Sequence, residues 1–147
     1  MKEVQVLLVE DDEVDRMAVR RAFASNRIAN RIVEARNGRE ALDILRGGGG
    51  VEPLARPYVI LLDLNMPVMN GLEFLAELRA DPGLRDATVF VLTTSRSEAD
   101  IAEGYRRNVA GYMVKSNVGD SFMEAVKLIE AFWRVVELPE SGDGRLI

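Results

Sequence analysis

The chain contains no cysteine and no histidine. Without thiols there is no disulfide, no thiolate nucleophile and no zinc–thiolate site, a composition compatible with a reducing, cytoplasmic setting. Without imidazole, a Ser-His nucleophile, a histidine general base and a self-contained phosphohistidine relay are all excluded. The chemistry left to the chain uses carboxylates, hydroxyls, lysine and a hard cation. Also missing are an apolar run near the length of a membrane span and a signal-peptide pattern after Met1-Lys2-Glu3. The formal net charge of -5 disfavours nonspecific binding to nucleic acid or anionic lipid, so neither nucleic acid nor membrane is expected as a partner. With 147 residues the chain is expected to form one domain over residues 1–138, with 139–147, around Ser141-Gly142-Asp143-Gly144, as a flexible tail.

Apolar runs recur at Val4 to Val9, Ile32 to Ala35, Tyr58 to Leu62, Thr88 to Leu92 and Gly111 to Val114. Between them lie stretches with helical spacing. Continuous rather than alternating apolar runs suit strands buried on both faces, so the alternation predicts a doubly wound five-stranded parallel α/β sheet with five helices. Val14, Met17, Ala18 and Ala22 predict the buried face of the first helix. Asn37 with Glu40 at N3 marks the start of the second, Gly71 opens the third, and Ser97 to Asp100 starts the fourth. The last helix is expected from about Asp120 to Val136, with Phe122, Ala125, Val126, Ile129, Trp133 and Val136 inward. A second stripe of Leu128, Phe132 and Val135 widens its apolar sector beyond what one sheet face needs, which suggests a subunit contact. Gly47 to Gly50 is a connection and not a phosphate cradle, because no Lys-Ser/Thr follows the glycines.

Right-handed crossovers bring the carboxyl ends of all the strands to one edge, where such sheets bind ligands. Strand one ends in Glu10-Asp11-Asp12, strand three in Asp63, strand four in Thr93-Thr94-Ser95 and strand five in Lys115. Asp11, Asp12 and Asp63 would supply the hard oxygen ligands that Mg²⁺ selects, Lys115 a movable positive charge, and Thr93 a hydroxyl donor. These are the parts of phosphoryl transfer onto a carboxylate, a nucleophile that is ionised at neutral pH without a general base. Each residue alone has a duller role, since acidic pairs cap helices and lysines are mostly solvated. Their conjunction at four strand ends is what favours function.

The segment Asp63-Leu64-Asn65-Met66-Pro67-Val68-Met69-Asn70-Gly71, the acidic pair, Thr93 and the stretch from Gly111 to Lys115 together resemble the receiver domain of two-component response regulators, the family of the chemotaxis protein CheY. The resemblance spans roughly Val4 to Val136. It implies a flavodoxin-like sheet of order 2-1-3-4-5. It further implies Asp63 as phosphoacceptor from a histidine kinase. Asp12, Asp63 and the Asn65 carbonyl would be Mg²⁺ ligands, with Asp11 acting through water. Lys115 would grip the acyl phosphate, and Thr93 and Tyr112 would form the switch that reshapes the face of helix four, strand five and helix five. Two positions depart from the family pattern: Ser116 follows Lys115 where proline is usual, and Thr94 replaces a small residue, which is expected to restrict access to Asp63.

Leu92 to Ser95, Lys115-Ser116 and the ending Ile129 to Trp133 are similar to stand-alone regulators paired with bacterial and cyanobacterial phytochromes. That implies a light-sensing histidine kinase as partner and a homodimer through the helix four to helix five face. Three other readings stay open at this level. A haloacid-dehalogenase-type phosphatase also uses Mg²⁺ and an aspartyl phosphate, but wants Asp where Asn65 stands. A flavodoxin-like FMN protein would need hydroxyl and glycine donors where Glu10-Asp11-Asp12 repels an anion. A scaffold without phosphorylation would have no use for the full set of polar groups.

Overall fold

Five short strands define the molecule, the inner three of them buried along nearly their whole length: β1 (Gln5–Val9), β2 (Ile32–Ala35), β3 (Tyr58–Leu62), β4 (Thr88–Thr93) and β5 (Gly111–Val114). They alternate with α1 (Glu13–Ser25), α2 (Gly38–Arg46), α3 (Gly71–Ala80), α4 (Glu98–Arg106) and α5 (Met123–Val135). The computed structural model describes residues 3–48, 50–119 and 122–140. All strand pairings are parallel and the order is β2-β1-β3-β4-β5. The sheet expected from the continuous apolar runs is therefore the one observed.

Strand pleating divides the core in two. Leu7, Val9, Ile60, Leu62, Val89 and Val91 pack with Ala41, Leu42 and Leu45 of α2 and Phe74, Leu75 and Leu78 of α3. On the opposite face Val6, Leu8, Val59, Leu61, Phe90 and Leu92 pack with Val19, Ala22 and Phe23 of α1 and Ala125, Val126 and Ile129 of α5. β3 lies at the centre of the sheet, so the residue that follows it emerges between both layers.

Local signals set most boundaries. The side chains of Asn37, Asn70 and Ser97 accept from the N3 amides of Glu40, Glu73 and Asp100, each satisfying a donor that the first helical turn leaves unpaired. The α3 start is a full capping box, with Glu73 returning to the Asn70 amide at 3.1 Å. Arg79 at the other end of α3 donates to the carbonyls of Arg85, Ala87, Arg107 and Asn108, tying the loop before β4 to the end of α4.

Two expected helix faces are corrected. In α1 the inward residues are Arg16, Val19, Ala22 and Phe23, while Val14 is 72% exposed. The face is rotated because Phe23 and the Arg16 guanidinium, with its own buried partners, take the inner positions. In α5 the helix begins at Met123, after Phe122 in a left-handed conformation (φ 58°), and Val136 falls beyond its end and is exposed. Asp120, where that helix was expected to begin, and residues 141–147 of the expected tail lie outside the described residues.

Candidate functional site

Register determines which side chains meet at the carboxyl edge. Val9 of β1 stands beside Leu62 of β3, so the next residues, Glu10 and Asp63, are neighbours. Thr93 of β4 stands beside Val114 of β5, which brings Lys115 just past Thr93. Asp63 is 6% exposed and Thr93 fully buried. The loop after Asp63 is held down by buried Leu64 and Met66, and the Gly71 amide donates to the Leu64 carbonyl at 2.9 Å. Met69 then offers its carbonyl to the Gly38 amide at 2.9 Å, which joins this loop to the start of α2.

Carboxylate oxygens of Glu10, Asp11 and Asp63 lie within 4.8 Å of one another, one from each residue. This is a suitable donor set for a hard divalent cation, and the like charges repel without one. Asp12 is not in the cluster. Its Oδ1 accepts from the amides of Val14 at 2.8 Å and Asp15 at 3.4 Å, making it the N-cap of α1. The acidic group facing Asp63 from the end of β1 is thus Glu10-Asp11, one residue earlier than the pair expected from the sequence. The matched ends of the two apolar runs, at Val9 and Leu62, carried that information.

Glu10 is buried and fully engaged. Its Oε1 accepts from Lys115 Nζ at 2.7 Å and its Oε2 from the Asp12 amide at 3.2 Å. Its backbone carbonyl accepts from the buried Arg16 guanidinium at 2.8 Å, and Arg16 also pairs with Glu34. Burial, reinforced by the Asp63 charge and opposed by Lys115, pushes the Glu10 carboxyl up to about 8. Lys115 also donates to Asp15 at 2.6 Å. Burial alone would lower the Lys115 ammonium, but the hydrogen bonds to Asp15 and Glu10, with the charges of Glu10 and Asp63, leave it above the ordinary lysine value. Sequence reasoning missed the roles of Glu10, Asp15 and Arg16.

The remaining expected residues surround this centre. The Thr93 hydroxyl accepts from the Ser95 amide at 3.4 Å, and the Tyr112 hydroxyl donates to the Ser95 carbonyl at 3.0 Å, so both bear on the loop after β4. Gly104 gives the Tyr112 ring its room, since a β-carbon there would stand 3.3 Å from the ring. Asn65 Nδ2 lies 3.5 Å from Thr94 Oγ1 across the mouth of the site. Lys115 opens a short 3-10 turn, and the Lys115–Ser116 bond is trans; among the described residues the one cis bond is Arg56–Pro57. Arg96 donates to Ser116 Oγ at 2.5 Å and Asn117 Oδ1 at 3.0 Å, joining the loops after β4 and β5. Leu128 and Val135 are 53% and 84% exposed on α5, but the Phe132 ring packs edge-on against Phe90 with centroids 4.9 Å apart.

Residues 6–127 match the response regulator receiver domain, and the chain belongs to that family. It is 38% identical over 135 residues to the response regulator Rcp1 of Synechocystis sp., covering 91% of this chain and 92% of Rcp1. The crystal structure of the phosphorylated cyanobacterial phytochrome response regulator RcpA is similar with a TM-score of 0.84 and 38% identity, covering 94% of this chain and 99% of that one. That of the Mn²⁺-bound form of Rcp1 has a TM-score of 0.81 and 37% identity, covering 94% and 99%. The protein is accordingly a response regulator of the two-component type, a class whose partners are histidine kinases, and its Glu10, Asp11 and Asp63 carboxylates form a donor set suited to a divalent cation. The phosphatase, flavin and scaffold readings are not favoured.

Proposed function

We propose that Asp63 is the phosphoacceptor and that Mg²⁺ is the cation used. The observation that carries this is the position of a buried carboxylate at the end of the central strand, with Glu10 and Asp11 on one side and Thr93 and Lys115 on the other. Asp11, Asp63 and the Asn65 carbonyl are the proposed ligands, with Glu10 acting through water. Asp12, expected among the ligands from sequence, serves instead to start α1. Bound Mg²⁺ would neutralise phosphoryl oxygens and offset the repulsion among the carboxylates.

A carboxylate oxygen of Asp63 attacks phosphorus on a kinase phosphohistidine; the new O–P bond forms as the P–N bond breaks, and the imidazole leaves with the bonding pair. Lys115 then meets one phosphoryl oxygen and the Thr93 hydroxyl donates to another. The movement of Thr93 bears on Ser95, whose carbonyl holds Tyr112, and the surface of α4, β5 and α5 shifts between two arrangements. The protein assists its own phosphorylation and dephosphorylation through these groups and turns over no other substrate.

The kinase we propose is of the phytochrome class, a reading supported by the likeness to the cyanobacterial phytochrome response regulator RcpA. A cytoplasmic location agrees with such a partner, and no helix among the described residues is long and apolar enough to cross a membrane. A homodimer through the α4–α5 face is supported by exposed Leu128 and Val135, with Phe132 supporting that surface from beneath. Incubation with Mg²⁺ and acetyl phosphate tests the main claim. Intact mass should rise by one phosphoryl group in wild type and not in Asp63→Asn, and an unmodified wild type would sink it. Phosphotransfer from a panel of histidine kinases tests the choice of partner.

A further inference from the structure

Lys115 is held by two carboxylates with different obligations. Glu10 belongs to the acidic cluster, and its second oxygen is occupied by the Asp12 amide. Asp15 lies outside the cluster. It stands in the first turn of α1, where the Asp12 cap fixes its amide, and its Oδ2 is 2.6 Å from Lys115 Nζ. The side chains of Lys115 and Asp15 are 11% and 25% exposed, so their attraction is only partly screened.

We propose that Asp15 is a positioning residue that parks Lys115, and that breaking the Asp15–Lys115 pair is the step opposing capture of a phosphoryl group at Asp63. The inference rests on the phosphoacceptor reading above. An ammonium directed at Glu10 and Asp15 has two of its three protons committed. Two such bonds also fix the direction of the third N–H, so to turn an N–H onto a phosphoryl oxygen at Asp63 the side chain gives up the contact that the cluster does not require. The backbone carrying it is held in place, because Ser116 and Asn117 in the same turn are bonded by Arg96. Lys115 therefore changes partner by swinging its side chain. The apparent affinity for the phosphoryl group is the intrinsic affinity multiplied by the fraction of molecules in which Lys115 is free of Asp15, as for any site whose competent state is partly populated.

The test is calorimetric titration of the full chain with beryllofluoride, a noncovalent phosphoryl mimic, at saturating Mg²⁺. Asp15→Asn should bind roughly threefold to tenfold more tightly than wild type, the ratio that loss of one part-exposed ion pair produces. Asp15→Glu, which keeps the charge, should return most of the way to wild type. In a Lys115→Ala background, Asp15→Asn should change nothing. Equal affinity of wild type and Asp15→Asn, or the same tightening without Lys115, would overturn the inference while leaving Asp63 as phosphoacceptor. A wild type that binds no beryllofluoride would overturn both. Should Asp15→Asn unfold, Asp15→Ser carries the same comparison.

Discussion

A β-carbon at Gly71 would stand 2.5 Å from the carbonyl oxygen of Asp63 and 2.7 Å from the α-carbon of Leu64. The start of α3 is therefore pressed against the backbone of the acidic residue itself, and the obstacle is main chain that cannot rotate away. Gly71→Ala should destabilise the fold by about 1–3 kcal/mol, the usual cost of overpacking. It should also slow phosphorylation by acetyl phosphate, because relief requires moving Asp63. Urea unfolding and intact mass on the same variant check both effects; unchanged stability would contradict the geometry.

The Glu10 carboxyl, raised by burial from 4.5 to about 8, makes stability depend on pH. Its folded form holds the proton more tightly than the unfolded chain does, so this contribution is full below about 4.5 and is lost as pH rises toward about 8. In the presence of a chelator, the thermal midpoint of wild type should therefore fall across that window relative to Glu10→Gln. Saturating Mg²⁺ should flatten the difference, since a cation beside the carboxylate favours its charged form. A wild type and Glu10→Gln that track each other under both conditions would remove Glu10 from the electrostatic account.

Thr94 and Asn65 face each other across the mouth of the site at 3.5 Å. If they limit the approach of water to the phosphorylated Asp63, Thr94→Ala should lose its phosphoryl group roughly twofold to tenfold faster, equivalent to a barrier lower by up to about 1.4 kcal/mol. Equal autodephosphorylation rates would end that idea.

Phe132 and Val135 lie on one apolar stripe of α5 but do different things. Phe132→Ala should destabilise the monomer by about 2 kcal/mol through loss of its edge-on packing with Phe90. Val135→Asp, at a position 84% exposed, should leave stability nearly unchanged and weaken self-association seen by light scattering. A wild type that stays monomeric at high concentration, phosphorylated or not, would exclude the dimer.

Much of this protein is legible locally. The strands could be read because a parallel sheet buries both faces and needs unbroken apolar runs, and Asn37, Asn70 and Ser97 mark helix starts because unpaired amides attract short polar side chains. Asp63 stands out for the same reason: a carboxylate that ends a buried central strand cannot reach bulk water easily. The phase of α1 was not legible, since the sequence offers two apolar faces and tertiary packing of Phe23 chooses between them.

The alternation of elements, the edge at which polar residues gather and the identity of Asp63, Thr93 and Lys115 as strand-end residues follow from local pattern, because each depends on residues adjacent along the chain. That Glu10 rather than Asp12 joins Asp11 and Asp63 depends on the packed fold, because an acidic side chain beside a helix start can either cap it or face the neighbouring strand. The backbone at Asp12 (φ -82°, ψ 116°) directs that carboxylate into the cap. The partners of Lys115 were likewise beyond local reading. Glu10 and Asp15 precede it by 105 and 100 residues, and strand register together with the placement of α1 brings the three together.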